Sequence, residues 1–264
     1  MGHAETGLLW RTWGLYPRVM IATMIAEESF IDFKCPHCGE PVSFPRDCIG
    51  FARECPTCLE CLVVPVGDAQ VGRKLPLPIT TARLVLRRLG GGDWKDLLEL
   101  LADEELFRYT DGRPLEEEEV LNWLQSDSHV KLTSPGQPFY LGIQARDGGK
   151  LIGYLSLHFA DPQRLQAGLN ICLNRNCQRK GFALEAVRAL LEFCFDGIRL
   201  HRVTALCDSR NAAACRLFEG AGLRREGELV KDKFFNGEWA STVCYAALQE
   251  EYREAAANSP APAP

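Results

Sequence analysis

The sequence predicts a mixed α/β domain over residues 79–254, preceded by a small cysteine-clasped module over residues 31–67. Three observations predict it. A strand-like run passes through the glycine-bearing turn Gln178–Ala183 into a strongly amphipathic helix. Asp147-Gly148-Gly149 and Asn236-Gly237 each separate two alternating runs, as hairpin turns do. Six of the twelve cysteines lie between Cys35 and Cys61 and include two CxxC pairs.

The elements follow in order. Arg83–Arg87 alternates like a strand. Asp93–Leu106 carries Trp94, Leu97, Leu98 and Leu101 at helical spacing, with Asp93 placed as N-cap. Leu115–Leu124 reads as a second helix whose acidic start, Glu116–Glu119, suits the positive end of the helix dipole. Phe139–Ala145 and Lys150–Phe159 form a hairpin, and Gln166–Leu173 is a further strand. The helix after Gly181 presents Leu184, Val187, Leu190, Leu191, Cys194 and Phe195 on one side and stops at Gly197. Arg202–Cys207 is a strand, Ala212–Glu219 a short helix, and Glu226–Phe235 with Trp239–Leu248 a closing hairpin. Residues 68–78, with Gly72, Pro76 and Pro78, read as a linker, and the Ala/Pro-rich residues 255–264 as a disordered tail.

At 264 residues, 46% hydrophobic and 25% charged, the chain has the composition of a soluble globular protein. A net charge of −5 argues against a broad, non-specific grip on nucleic acid. No apolar run reaches the roughly 20 residues of a membrane helix. Arg11 and Arg18 break up the apolar stretch 8–24, and no small-residue cleavage site follows it. Residues 1–30 therefore read as a poorly ordered leader, Met20 and Met24 as alternative starts, and the expected location is cytoplasmic, with reduced thiols.

Cys35-Pro36-His37-Cys38 and Cys55-Pro56-Thr57-Cys58 flank a sixteen-residue spacer. Each pair can present two thiolates from one tight turn, and the spacing suits a tetrahedral zinc site. So small a module cannot bury enough apolar surface to fold unaided, so a structural metal would supply the missing stability. Cys48 and Cys61 are spare, with Cys61 the substitute should Cys58 not ligate; His37 is expected at the surface. A redox dithiol or plain buried cysteines are the bland alternative. With Val42-Ser43-Phe44-Pro45 and Leu62-Val63-Val64-Pro65, the segment resembles a zinc ribbon. Such ribbons contact proteins, ribosomes or nucleic acid, or prop up a neighbouring domain.

The turn at Gly181 exposes unpaired N–H groups at a helix N-terminus, a seat for phosphate or pyrophosphate, with Arg179 and Lys180 adding positive potential. A plain β–α turn is the simpler reading of such a loop. An NAD site fits worse, because GxGxxG is absent.

The order strand, Gln-x-x-Gly-x-Ala, helix, strand, short helix resembles the GNAT N-acetyltransferases. Thr81–Arg87, Leu151-Ile152-Gly153-Tyr154, His201-Arg202-Val203, Asn211, Phe218-Glu219 and Gly222–Gly227 resemble in particular the branch that acetylates ribosomal-protein N-termini. The resemblance spans residues 79–252. It implies a GNAT-like mixed sheet and acetyl-CoA as co-substrate, with the pyrophosphate on the amides of Gln178, Arg179, Lys180, Gly181, Phe182 and Ala183. It places the pantetheine arm between the strands ending at Leu173 and Cys207, against Ile171, Cys172 and Leu173, with Asn211 on the far side and Phe218 near the thiol end. The implied acceptor is a primary amine, foremost a protein N-terminal α-amine, with a small-molecule amine as the alternative.

Three positions depart from the family pattern. Gly168 stands where many members carry a glutamate base, Phe218 where many carry a tyrosine acid, and Ala214 where some carry a serine. Tyr154, Ser156 and His158 alternate along one strand and share a face, so His158 and Tyr154 are the replacement catalytic candidates. A merely solvated polar face is the plain alternative. The missing acid and base also admit a non-catalytic acyl-CoA-binding protein docked on a partner through its ribbon.

Overall fold

The computed structural model describes residues 30–258 except 68, 133, 135 and 160–164; the leader reading for residues 1–29 lies outside the described residues. The cysteine module pairs β1 (Phe30–Lys34) with β2 (Pro41–Pro45), and a second small sheet joins β3 (Ala52–Glu54), β4 (Cys61–Val63) and β5 (Arg73–Lys74). Residues 70–74 of the expected linker are tied back to the module. Arg73 and Lys74 pair with Val63 and Leu62, and Lys34 holds both Gln70 and Gly72 by backbone hydrogen bonds of 2.9 and 3.0 Å.

The main sheet has eight strands in the order β12-β13-β11-β10-β9-β8-β7-β6. They are β6 (Ile79–Thr80), β7 (Leu84–Arg87), β8 (Phe139–Ala145), β9 (Leu151–Phe159), β10 (Gln166–Leu173), β11 (Arg202–Asp208), β12 (Arg224–Phe235) and β13 (Glu238–Leu248). Among the described residues of this sheet, only β10 and β11 run parallel. The crossover between them is the helix α3 (Phe182–Glu192), as a parallel pair requires.

Strand alternation sends side chains to two cores. Leu155 and Leu157 join Leu84, Leu141, Leu169, Val203 and the buried side of α3 on one face. On the other face α1 (Trp94–Leu101) and α2 (Glu117–Asp127) cover Leu151, with Tyr140, Tyr154 and Cys172 packed at the margin. The helix α4 (Ala212–Gly220) packs through Phe218 into the first core, and α5 (Gln249–Asn258) follows the sheet. The tail thus begins later than the sequence suggests, because residues 255–258 are still helical.

The predicted helix 93–106 is shorter. It ends at Leu101 and is followed by a 3-10 turn, Glu104–Phe107. Asp93 does not cap it. Its carboxylate takes two hydrogen bonds of 2.8 Å from Arg87 and a third of 2.8 Å from the Gly90 amide. At α2 the acidic run forms a capping box between Glu116 and Glu119.

The cysteine module sits on the main domain. Ala52 and Cys61 are buried in the larger core, and the Lys131 ammonium donates to the Leu59 carbonyl.

Candidate active site

The decisive geometry is a gap in the sheet. β10 and β11 pair in register from Gln166↔Arg202 to Leu169↔Ala205 and no further, although both strands continue. Past Leu169 the two strands splay. Ile171, Cys172 and Leu173 lie on one lip, still paired on their other side to Leu155, Tyr154 and Gly153. Leu206, Cys207 and Asp208 form the other lip, paired to β13.

Beyond the β10 lip the chain turns into α3 through Arg179 (φ 60°) and Gly181 (φ 81°), both left-handed. The N–H groups of Arg179–Ala183 have no hydrogen-bond acceptor among the described residues. Gln178 departs from expectation. Its N–H is taken by the Arg175 carbonyl at 3.2 Å, and its carboxamide donates to the Leu173 carbonyl at 3.0 Å. Gln178 thus ties the loop to β10, and the run of unpaired amides begins one residue later. Arg83 braces the loop from outside: it donates to the Lys180 carbonyl at 2.9 Å and lies over the Phe182 ring.

The splay opens into a cleft of about 790 Å³. Ile171, Cys172, Asn211, Ala214 and Phe218 line it, as do Tyr154, Ser156 and His158; Leu173 and the loop 178–183 lie outside that lining. Asn211 caps α4, its carboxamide oxygen accepting from Ala214 N at 3.1 Å, so its amide nitrogen is the group left for a ligand. Phe218 is buried against the Tyr245 ring at 5.7 Å.

Across β9 and β10, Ser156 faces Asn170 and His158 faces Gly168. The Ser156 hydroxyl and the Asn170 amide both meet His158 Nε2, at 2.9 and 3.1 Å. An amide nitrogen can only donate, so Nε2 accepts and the ring proton sits on Nδ1. Partial burial in the cleft wall pushes the His158 pKa below its ordinary value. The imidazole is thus a neutral group with its lone pair aimed at two donors. Tyr154 lies opposite Cys172 across the β9–β10 pair. Burial pushes the Tyr154 pKa well up, so it remains a phenol at neutral pH. Burial likewise pushes the Cys172 thiol up to about 12, which leaves it a poor nucleophile.

Sequence reasoning did not anticipate the outer wall. Leu106, Phe107, Tyr109, Thr110 and Asp111 come from the segment after α1, and Lys233, Phe234 and Phe235 from the β12–β13 hairpin. Asp208 at the β11 lip is bound bidentately by Arg210, with bonds of 2.9 and 2.7 Å. A hint was present in the acid–arginine spacing of two residues just after a strand.

Away from the cleft, Cys35, Cys38, Cys55 and Cys58 gather with all four sulfurs within 4.8 Å of one another. Cys35–Cys58 and Cys38–Cys55 are 3.8 and 3.9 Å apart. A tetrahedron with metal–sulfur bonds of about 2.3 Å has edges of about 3.8 Å, so the set fits zinc. The two turns are alike. Each first cysteine accepts an N–H at 3.4 Å, from His37 and from Thr57, as thiolate ligands do. His37 is exposed and bonds the Cys61 carbonyl at 2.9 Å; Cys61 and Cys48 are buried outside the cluster.

Residues 83–224 match the family described as "Acetyltransferase (GNAT) domain". The chain belongs to the GNAT acetyltransferase family. It is 32% identical over 178 residues to the uncharacterized N-acetyltransferase YnaD of Bacillus subtilis, covering 66% of this chain and 98% of that one. The crystal structure of a GNAT-family acetyltransferase from Bacillus anthracis superposes with a TM-score of 0.59 at 26% identity, over 65% of this chain and 98% of that one. Spermidine N-acetyltransferase from Vibrio cholerae, solved in complex with CoA and spermine, shares the fold at a TM-score of 0.58 and 24% identity, over 66% of this chain and 99% of that one. The GNAT domain is an acetyl-CoA-dependent N-acetyltransferase, which decides between the enzyme and the non-catalytic binding protein. No described helix is long and apolar enough to cross a membrane.

Proposed function

We propose that this enzyme acetylates the α-amine of a protein or peptide N-terminus. The observation that carries the reading is the end of the β10–β11 register at Leu169↔Ala205, beside the bare amides of Arg179–Ala183. Acetyl-CoA laid along that line puts its pyrophosphate on the loop and its pantetheine arm between the two lips. Backbone groups of Ile171–Leu173 then pair with the arm's amides, and Asn211 and Phe218 close the far side.

The charge of the cleft favours one amine class. Its lining holds two carboxylates, Asp111 and Asp208, and Asp208 is engaged by Arg210, while Lys233 adds a positive charge. A polyamine brings several ammonium groups and needs as many free counter-charges. An α-amine brings one, and with a pKa near 8 it is partly neutral at pH 7 and needs only a weak base. His158 supplies that base: Nε2 receives the ammonium proton, directly or through the Ser156 hydroxyl, before the nitrogen attacks the thioester carbon; the C–S bond then breaks and CoA leaves as the thiol, its sulfur taking the proton that the newly acylated nitrogen sheds. Tyr154 contributes a hydrogen-bond donor on the same face. Holding the two reactants together supplies much of the remaining acceleration, which suits a site with Gly168, Ala214 and Phe218 at the family's usual acid and base positions. The four cysteines hold a structural zinc, and the packing of Ala52 and Cys61 into the main core supports a buttressing role for the ribbon.

Purified enzyme, acetyl-CoA and either N-terminal peptides or spermidine, with CoA release followed, test the acceptor. Peptide acetylation at the α-amine is expected. Turnover of spermidine with every peptide inert would overturn it.

A further inference from the structure

Beside the main cleft lies a second cavity of about 410 Å³. It shares Leu101, Phe107, Tyr140 and Tyr154 with the cleft, so the two adjoin. Its wall is built of three half-buried rings set edge to face. Trp123 stands 4.9 Å from Tyr140 and 5.3 Å from Tyr154, and the two tyrosines are 5.7 Å apart. Leu115 completes the apolar surface. Among the described residues no carboxylate lines the cavity, and the one charged residue is Arg113, whose guanidinium is paired with Glu119.

Half-buried aromatic surface around open space gains most from an apolar group that displaces water from it. A cationic occupant would find no counter-charge there and would meet Arg113. The position matters as much as the lining. Tyr154 borders both cavities and stands two residues along the strand from Ser156, about 7 Å away. That is the reach of a side chain from its own amino group. We infer that the cavity receives the side chain of the acceptor's first residue and selects peptides that begin with a large apolar residue, such as leucine, methionine or phenylalanine. The assignment rests on the N-terminal reading of the acceptor given above.

Pentapeptides that differ only in their first residue test it. With the intact enzyme, kcat/KM for Leu, Met or Phe at that position should exceed that for Ser or Gly by about tenfold to a hundredfold. Leu115→Trp, which fills the cavity from its rim, should erase the preference and leave the Ser-first peptide unchanged. Trp123→Leu, which removes the largest ring, should lower the Phe-over-Ser ratio in the same assay and serves if the first variant does not fold. Equal kcat/KM for all first residues, or a ratio unchanged in either folded variant, overturns the side-chain assignment and leaves N-terminal acetylation standing. Failure of every peptide beside turnover of spermidine removes the parent reading and this one together.

Discussion

Arg83 braces the Gly181 loop: its guanidinium donates to the Lys180 carbonyl at 2.9 Å while its Nε donates to Glu185 at 2.7 Å. Glu185 also accepts from the Thr81 hydroxyl and the Arg83 amide. Burial works against its charge, but these donors win and hold the carboxyl below the usual carboxylate range. The brace is therefore complete at neutral pH and is lost only as pH falls through the acid range where that carboxyl titrates. It orients the carbonyl of Lys180, and so the peptide plane that carries the Gly181 N–H.

Arg83→Ala should release that plane without touching the acceptor cleft. The expected result is a KM for acetyl-CoA raised roughly two- to tenfold, the worth of about one hydrogen bond. The KM for the amine should stay constant. Initial rates with each substrate varied in turn check the split; an equal rise in both would show the change to be global.

His158 is the proposed base, so its titration should appear in the rate. Partial burial lowers its pKa from 6.5, which keeps the neutral, base-competent form dominant to below that pH. The acid limb of kcat at saturating acceptor should fall below 6.5 and vanish in His158→Gln, with kcat down about a hundredfold. Ser156→Ala and Asn170→Ala each remove one donor to Nε2. Both should move the limb upward, because less then stabilises the neutral ring.

The bounds Gln166–Leu173 and the Asn236-Gly237 turn were legible because their signals are local: period-two alternation, and two consecutive residues that tolerate positive φ, here 51° and 80°. The four-cysteine cluster was legible for the same reason, since spacing alone brings each pair into one turn. Asp93 was misread because its partner, Arg87, sits on a strand that passes back beside it, and pairing across a turn outcompetes the cap. Arg73–Lys74 is two residues long and carries no period at all. The wall of Trp123, Tyr140 and Tyr154 joins a helix and two strands, so no window of sequence contains it. The departures at Gly168 and Phe218 were visible, whereas the Ser156–Asn170 pair around His158 depended on strand register.

Two glycines of the central strands should respond oppositely to a methyl group. A Cβ on Gly153 would lie 2.3 Å from the Cys172 carbonyl oxygen, a backbone atom of the β10 lip. Gly153→Ala must push that lip, costing roughly 1–3 kcal/mol and several degrees of Tm, with activity lost beyond what stability explains. A Cβ on Gly168 meets nothing nearer than the Thr204 hydroxyl at 3.7 Å. Gly168→Ala should keep Tm and turnover within about twofold, well inside the usual range of a tolerated substitution. Thermal melts and rates on both proteins check the contrast.

The ribbon's stability should be linked to metal and, through Ala52 and Cys61, to the whole enzyme. Mass spectrometry of the native protein should find one zinc per chain, lost in Cys38→Ser and in Cys55→Ser. Stripping the metal leaves four thiols whose sulfurs are too close to remain together as thiolates, and the turns at Cys35 and Cys55 lose the tie that joins them. Because two ribbon residues are buried in the acetyltransferase core, the loss reaches the catalytic domain. Chelation should lower its Tm by roughly 10 °C, the equivalent of a few kcal/mol at this size. The KM for acetyl-CoA, measured well below the new midpoint, should not change, since the splay and the Gly181 loop lie outside the ribbon. A metal-free protein that melts with the holoenzyme would show the cluster to be a set of free thiols instead.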